Sequence, residues 1–462
     1  MKAISLKQFL QDVKSGNVDV NDFFSKVVEK NESIQENYNA FITLLEKLEA
    51  PRNKGGLYSL PISVKDNICT RNIQTTAGSK ILEGYVPPFD ATAVERAKEE
   101  GAIVIGKTAM DEFGFGTFSI NCAFDIPKNP LDTDRTCGGS SGGASCLTAS
   151  SDFPHVALAE STGGSISCPA AFTGTVGLTP TYGLVSRWGL IDYANSLDKV
   201  GCIGKTVYDV ALLLSSVAGH DNNDSTSLGI TKQDYTKFLN GKIKGMKIGI
   251  PKEYFQGIDK KIEKIIWDAI KKLEDLGATY KEISLSHTEY ALPSYYLIAV
   301  AEASTNLAKY AGMRYGLHMQ LQGNFDEYFS TVRSDGFGEE AKRRIILGTF
   351  ARMAGYRDAY YLKALKVRTK VIEDFKNAFK KFDVLAAPTM PVVAPRFDEI
   401  KKLSPIETYM MDVLTVAPNL AGIPMISVNA GKVDKMPVGL HLMGDHLQEG
   451  KILQVANSFE NR

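Results

Sequence analysis

The chain has 462 residues, 44% of them hydrophobic, and its 53 basic and 53 acidic side chains leave a formal net charge of zero. That balance excludes a sequence-wide electrostatic attraction to nucleic acid, so any RNA would be held mainly by a partner. A chain this long buries an ample core without disulfide or metal staples.

The six cysteines (Cys69, Cys122, Cys137, Cys146, Cys168 and Cys202) form no CxxC pair and have no histidine-rich neighbour. That spacing argues against a zinc site and against a secreted disulfide scaffold, and for reduced, mostly buried thiols. The N-terminus, Met1 to Gln8, has no apolar segment of the kind a signal peptide needs. No run approaches the ~18 apolar residues of a membrane span. The expectation is a cytoplasmic protein.

In chain order, residues 5–48 read as helices. Ser5 and Gln8 have capping-box spacing, Leu6, Phe9, Leu10 and Val13 share a face, and Gly16 stops the run. A second helical pattern after Asn21 places Phe23, Phe24, Val27 and Val28 together. From 60 to 215, short apolar runs such as Ile103–Ile105 and Val156–Ala159 alternate with Gly/Ser-rich loops, as buried strands of an α/β sheet do. Residues 247–250 read as a strand, 259–276 as an amphipathic helix ending near Gly277, and 291–320 and 338–381 as long helices. The lysines from Lys363 to Lys381 read as a solvated face. Residues 384–387 and 425–428 read as late strands. No linker or repeat divides the chain, so one domain over 1–462 with a helical arm over about 1–50 is the simplest organisation.

Two motifs are decoys. Gly101-Ala-Ile-Val-Ile-Gly-Lys-Thr108 matches the phosphate-binding loop letter for letter, but Ala-Ile-Val-Ile prefers a buried strand to a flexible turn. Gly138-Gly-Ser-Ser-Gly142 matches a nucleophile elbow. The six histidines (His155, His220, His287, His318, His441 and His446) lie in no motif that would complete a triad.

A third constellation carries chemistry. Cys137-Gly-Gly-Ser-Ser-Gly-Gly143 and Ser161-Thr-Gly-Gly-Ser-Ile-Ser167 lie about 25 residues apart, and Lys65 follows the apolar Leu60–Val64 run. Gly-Gly-Ser lets a hydroxyl and several N–H groups face one small space, as a nucleophile beside an oxyanion hole would. A lysine is a base only if its surroundings favour the neutral amine, and desolvation after an apolar strand is the expected means. Taken alone, such glycine–serine richness more often marks a turn, and a lysine after a strand is more often exposed.

These residues resemble the amidase signature family over almost the whole chain, including Pro169-Ala-Ala-Phe-Thr-Gly-Thr-Val-Gly-Leu-Thr-Pro-Thr-Tyr-Gly183. The resemblance implies an α/β/α fold with a mixed central sheet flanked by helices. It assigns Lys65 as base, Ser140 as bridging serine and Ser165 as nucleophile. It places an oxyanion hole on the N–H groups of Thr162, Gly163, Gly164 and Ser165.

Further blocks (Thr76–Leu82, Pro88–Thr92, Gly106–Phe113, Val185–Leu190, Lys342–Phe350, Lys366–Thr369 and Asp412–Thr415) resemble the family's glutaminase subunits of tRNA-dependent amidotransferases. That likeness implies L-glutamine as substrate, with Arg344 on its carboxylate, Asp412 on its ammonium group and Tyr295 closing the pocket. It implies a B subunit that binds and phosphorylates aminoacyl-tRNA and a small C subunit. No metal or cofactor is expected in this chain, ATP and Mg belonging to the partner. Ser161, Ser167 and Cys168 depart from the family's Asp, Arg and Gln, and loss of that arginine makes Arg344 the expected cation for the carboxylate. The competing readings are a stand-alone amidase for another small amide, which would hydrolyse glutamine without partners, and a catalytically silent scaffold, against which Lys65, Ser140 and Ser165 stand.

Overall fold

The computed structural model describes residues 4–321 and 323–461. Met1–Ala3, which open the N-terminal stretch, lie outside the described residues. Thirteen strands are found among them: β1 (Phe41–Leu44), β2 (Pro61–Lys65), β3 (Ile103–Thr108), β4 (Lys128–Asn129), β5 (Asp132–Thr136), β6 (Val156–Ser161), β7 (Val176–Thr179), β8 (Lys199–Gly204), β9 (Lys247–Pro251), β10 (Thr279–Ile283), β11 (Val384–Pro388), β12 (Met425–Val433) and β13 (Met436–Met443). Eleven form one mixed sheet in the order β1-β3-β2-β6-β8-β7-β12-β13-β11-β9-β10, and β4 and β5 pair separately. Helices flank the sheet, which is the α/β architecture expected. Strands such as β2 and β6 are buried at every position, so they read as apolar runs and not as an alternation.

The N-terminal arm departs from the all-helical expectation. Ser5 caps the helix Leu6–Lys14 through the Gln8 N–H (3.2 Å), but the Gln8 side chain turns to Asp12 (2.9 Å), so only half of the capping box forms. The helix Val20–Tyr38 follows, capped by Asp19. Phe41–Leu44 is then an edge strand, antiparallel to β3. The long helical pattern over 291–320 ends earlier, with the helix Ala291–Asn306. The pattern over 338–381 divides into the helices Glu339–Arg352 and Lys363–Phe379, with Gly355 at φ +88° in the break.

Register positions the site. β2 and β6 are parallel, with Val64 opposite Leu158, so Lys65, at the end of β2, and Glu160, one residue before the end of β6, reach the same edge of the sheet. Ligands of α/β sheets collect at such carboxyl ends. One hydrophobic cluster holds Ile62, Val64, Leu158 and Ile426. Another, built largely on the helices from 291 to 379, holds Phe113, Phe115, Tyr193, Tyr295 and Ile298.

At the start of β6, burial pushes His155 down to about 3 from the usual 6.5; its ring meets Ser63 Oγ (3.0 Å) and Thr148 Oγ1 (3.4 Å). A folded-state value below the unfolded one contributes stability above the unfolded value and loses it as pH falls toward the folded one. Wild-type protein is therefore expected to lose about 1.4 kcal/mol per pH unit below about pH 6.5 through this residue. His155→Gln cannot titrate. Denaturant unfolding at stepped pH should show the gap between wild type and variant closing below that point, whereas parallel curves would remove His155 from the acid response.

Candidate active site

Lys65 ends β2 and is wholly buried. Its Nζ donates to Ser140 Oγ (2.7 Å), to the Glu160 backbone oxygen (2.9 Å) and to Glu160 Oε2 (2.9 Å). Ser140 stands between β5 and the helix Gly142–Ser150, after a cis Gly139–Ser140 peptide. Gly139 has no room for a side chain, since a Cβ would lie 2.2 Å from Asp111 Oδ2. Burial, opposed by N–H bonds from Asn121 and Ser119, raises the Asp111 carboxyl to about 6.

Ser165 lies between β6 and the helix Ser167–Thr173 and is 7% exposed, whereas Lys65 and Ser140 are fully covered. Ser141 N donates to Ser165 O (3.2 Å), which ties the two serine loops together. Among the described residues, no hydrogen bond joins Ser140 Oγ to Ser165 Oγ. The link from Lys65 to Ser140 is made and the second link is not, a gap that substrate commonly closes in such sites.

The turn before Ser165 admits only glycine. A Cβ on Gly163 would meet Tyr295 Oη at 2.9 Å, and one on Gly164 would meet Thr415 Oγ1 at 2.4 Å. The N–H groups of Gly163, Gly164 and Ser165 take no acceptor among the described residues. Donors left free beside a hydroxyl suit an oxyanion that develops during attack. Thr162 enters this turn with its side chain engaged by Glu160 Oε1 (2.8 Å) and Asp198 Oδ1 (2.7 Å).

The three residues assigned to substrate converge near this turn, but not as free charges. Arg344, on the helix Glu339–Arg352, is 3% exposed; its Nε donates to Glu340 Oε1 (2.8 Å) and its Nη1 to Tyr193 Oη. Its guanidinium lies 5.1–5.5 Å from the ring centres of Phe115, Tyr193, Tyr296 and Tyr409, an aromatic cage suited to a buried cation. The cation assigned to the substrate carboxylate is thus already paired in this structure, with Glu340 one helical turn away. Asp412 accepts from Tyr296 Oη (2.6 Å) and Thr117 Oγ1 (3.0 Å). Burial pushes its carboxyl up, against those bonds and the Arg344 charge. Tyr296 therefore joins Asp412 to the Arg344 cage, and Tyr295 packs edge-on against it at 5.0 Å.

Lys65 is desolvated, as the apolar run implies, and it also faces a buried carboxylate that the sequence reading does not include. Sequence reasoning misses Glu160, Thr162 as a side chain, Asp198, Tyr193, Tyr296 and Glu340. The available signals are an acidic residue ending the apolar Val156–Ala159 run and the Glu340/Arg344 spacing.

Ser161 Oγ donates to Gly163 O (3.1 Å), Cys168 Sγ to Thr117 O (3.5 Å), and Ser167 Oγ has no partner among the described residues. All six cysteines are free. Gly101–Thr108 is mostly strand, as argued, and Lys107 Nζ is held by Ile68 O (2.6 Å) and Thr75 Oγ1 (2.7 Å) instead of pointing into a phosphate loop. No histidine bonds to Ser140 or Ser165 among the described residues.

Residues 5–453 match the family described as Amidase. The chain is 48% identical over 470 residues to the A subunit of glutamyl-tRNA(Gln) amidotransferase from Carboxydothermus hydrogenoformans, covering 99% of this chain and 96% of that one. It is 45% identical over 468 residues to the protein of the same name from Methanosarcina mazei, with coverage of 99% and 96%. The crystal structure of the glutamyl-tRNA(Gln) amidotransferase A subunit from Thermotoga maritima superposes with a TM-score of 0.86 at 35% identity, covering 100% of this chain and 95% of that one.

Proposed function

The chain belongs to the amidase family, and from that premise we propose that it is the glutaminase subunit of a cytoplasmic tRNA-dependent amidotransferase. The observation that carries this reading is the buried Lys65–Ser140 bond of 2.7 Å beside a serine in a glycine turn with free N–H groups.

In this mechanism the neutral Lys65 amine takes a proton from Ser140, and Ser140 takes one from Ser165. Ser165 Oγ attacks the side-chain amide carbon of glutamine while the N–H groups of residues 162–165 receive the oxyanion. Collapse of the tetrahedral adduct, with a proton returned through Ser140, breaks the C–N bond and releases ammonia. Water then hydrolyses the glutamyl ester to glutamate and restores Ser165. Arg344, Asp412 and Tyr295 hold the amino-acid end of the substrate.

Ammonia passes to a B subunit that activates aminoacyl-tRNA, so ATP, Mg and tRNA are handled there, and a small C subunit joins the two. A surface on and beside the helix Glu339–Arg352 supports such partners: Ile346, Leu347, Phe350, Met353, Tyr356 and Tyr360 are all exposed, Ile346 by 68%. Apolar side chains gathered in this way mark interaction surfaces. No described helix is long and apolar enough to cross a membrane.

The test is amidation of charged tRNA by the assembled subunits with glutamine and, separately, with ammonium salts. Both reactions are expected, and loss of the glutamine reaction alone when this chain is withheld. Glutamine hydrolysis that is vigorous without partners and never coupled to tRNA would favour a stand-alone amidase.

Asp412→Asn probes the substrate end. Losing a charge-assisted contact costs about 2–5 kcal/mol, so glutamine use is expected to weaken by tens to thousands of fold while ammonium-driven amidation survives. Unchanged glutamine kinetics would remove Asp412 from the pocket.

A further inference from the structure

Among the buried charges of the site, Glu160 has no part in the mechanism above. It is the penultimate residue of β6, is 1% exposed, and receives hydrogen bonds on both carboxylate oxygens. Oε2 accepts from Lys65 Nζ (2.9 Å) and Asn67 Nδ2 (3.1 Å), and Oε1 accepts from Thr162 Oγ1 (2.8 Å). Thr162 Oγ1 also lies 2.7 Å from Asp198 Oδ1. A threonine hydroxyl has one hydrogen. With carboxyl oxygens on both sides of it, one of the two acids must supply the second hydrogen.

The other oxygen of Asp198 accepts from Tyr193 N (2.9 Å) and Ala194 N (3.0 Å), which leaves Oδ1 to carry the proton. Burial, followed by the charge of Glu160, pushes Asp198 well above the usual carboxylate range. The hydrogens therefore run from Asp198 to Thr162 to Glu160, and every bond in the chain aims a carboxylate at Lys65.

The same geometry exposes a difficulty for Lys65 as base. Its three acceptors, Ser140 Oγ, Glu160 O and Glu160 Oε2, equal in number the three N–H bonds of an ammonium group. A base needs a lone pair in place of one of those bonds. Releasing a proton to water would leave the Glu160 carboxylate buried without its counter-ion, which is costly.

We propose that Glu160 is a positioning residue that receives the third proton of Lys65, so that the amine becomes a base by transfer within a net-neutral pair. This rests on the reading of Lys65, Ser140 and Ser165 given above. In the step, an Nζ–H bond breaks, an O–H bond forms at Oε2, and the electron pair stays on Nζ. Rotation about Cε–Nζ then turns that pair toward Ser140 Oγ, which lies 2.7 Å away. The proton returns to Nζ when the cycle closes, and nothing else is consumed. Other charged groups act on the pair from neighbouring elements: Asp111 from the segment after β3 and Asp198 from the segment before β8. Arg344 acts on Asp111, and Arg187 on Asp198.

The test is the pH profile of p-nitroaniline release from γ-glutamyl-p-nitroanilide, from about pH 6 to about pH 9, by the full chain purified with any subunits that accompany it. In wild type the pair keeps its protons through the step, so a flat profile is expected across this range. Glu160→Gln matches the side chain in shape but cannot take the proton, so Lys65 must lose it to solvent. The rate of that variant is expected to rise with pH where the wild-type profile stays flat. Glu160→Asp keeps a carboxylate and is expected to be slower than wild type but flat, which gives a readout even if the glutamine variant fails to fold. A Glu160→Gln profile parallel to wild type, or a rising one for Glu160→Asp, overturns the proposal while Lys65→Ala remains inactive. A Lys65→Ala chain at the wild-type rate overturns instead the assignment of the base, and the proposal with it.

Discussion

Replacing Ser165 with alanine is expected to lower glutamine-dependent amidation by about a thousandfold or more while leaving the ammonium-dependent reaction near wild type. The first half follows from the chemistry at Oγ. Ser165 Oγ has the free N–H groups of Gly163 and Gly164 beside it, whereas the Thr162 hydroxyl of the same turn is engaged by Glu160 and Asp198. Without the hydroxyl there is no ester to form, and water would have to attack an unactivated amide. A thousandfold loss corresponds to about 4 kcal/mol of transition-state stabilisation, within the range of a lost nucleophile. The second half follows from the proposed division of labour between subunits, in which ammonia from solution enters after the step assigned to Ser165. The structural cost of the change is small, since Ser165 Oγ takes no hydrogen bond among the described residues. Steady-state kinetics of the assembled complex with each nitrogen donor would check both halves. Equal loss of the two reactions would mean that Ser165 supports the assembly and not amide cleavage.

Lys65→Ala is expected to be nearly as damaging, and Lys65→Arg is not expected to rescue it. General-base contributions are typically about 10²–10⁴-fold, and beside the base role proposed for it Lys65 also holds Ser140 in place at 2.7 Å. Arginine would keep the positive charge and could pair with Glu160, but a guanidinium does not give up its proton in a protein. It therefore separates an electrostatic role from a proton-accepting one. Glutamine hydrolysis by Lys65→Arg near the wild-type rate would show that the lysine serves only as a cation. Because Lys65 is wholly buried, the thermal stability of each variant must be read beside its rate, so that misfolding is not counted as lost catalysis.

The parts of this site that are legible in the sequence are those whose chemistry is local. Gly-Gly-Ser turns, an apolar strand ending in lysine, and the strands at 103–105, 156–159, 247–250, 384–387 and 425–428 follow from backbone freedom and burial, which a few neighbouring residues decide. Phe41–Leu44 reads as helix because four residues carry too little periodicity; pairing with β3, far along the chain, makes them an edge strand. Glu160 escapes for a related reason. A carboxylate at the end of an apolar run is costly when buried alone, and its partner, Lys65, lies 95 residues earlier. The same holds for Arg344, whose cage draws on Phe115, Tyr193, Tyr296 and Tyr409, residues that only the tertiary fold gathers. The pair Glu340/Arg344 is legible from helical spacing alone and is enough to show that this arginine is not a free cation.

The most direct measurement is acid quenching of the enzyme during turnover with glutamine, followed by mass spectrometry of the peptide that carries Ser165. A glutamyl ester on Ser165 is expected in wild type, to be absent from Ser165→Ala, and to accumulate more slowly in Lys65→Ala. Glutamine hydrolysis that proceeds with no adduct at all, or with an adduct on a residue other than Ser165, would contradict the mechanism.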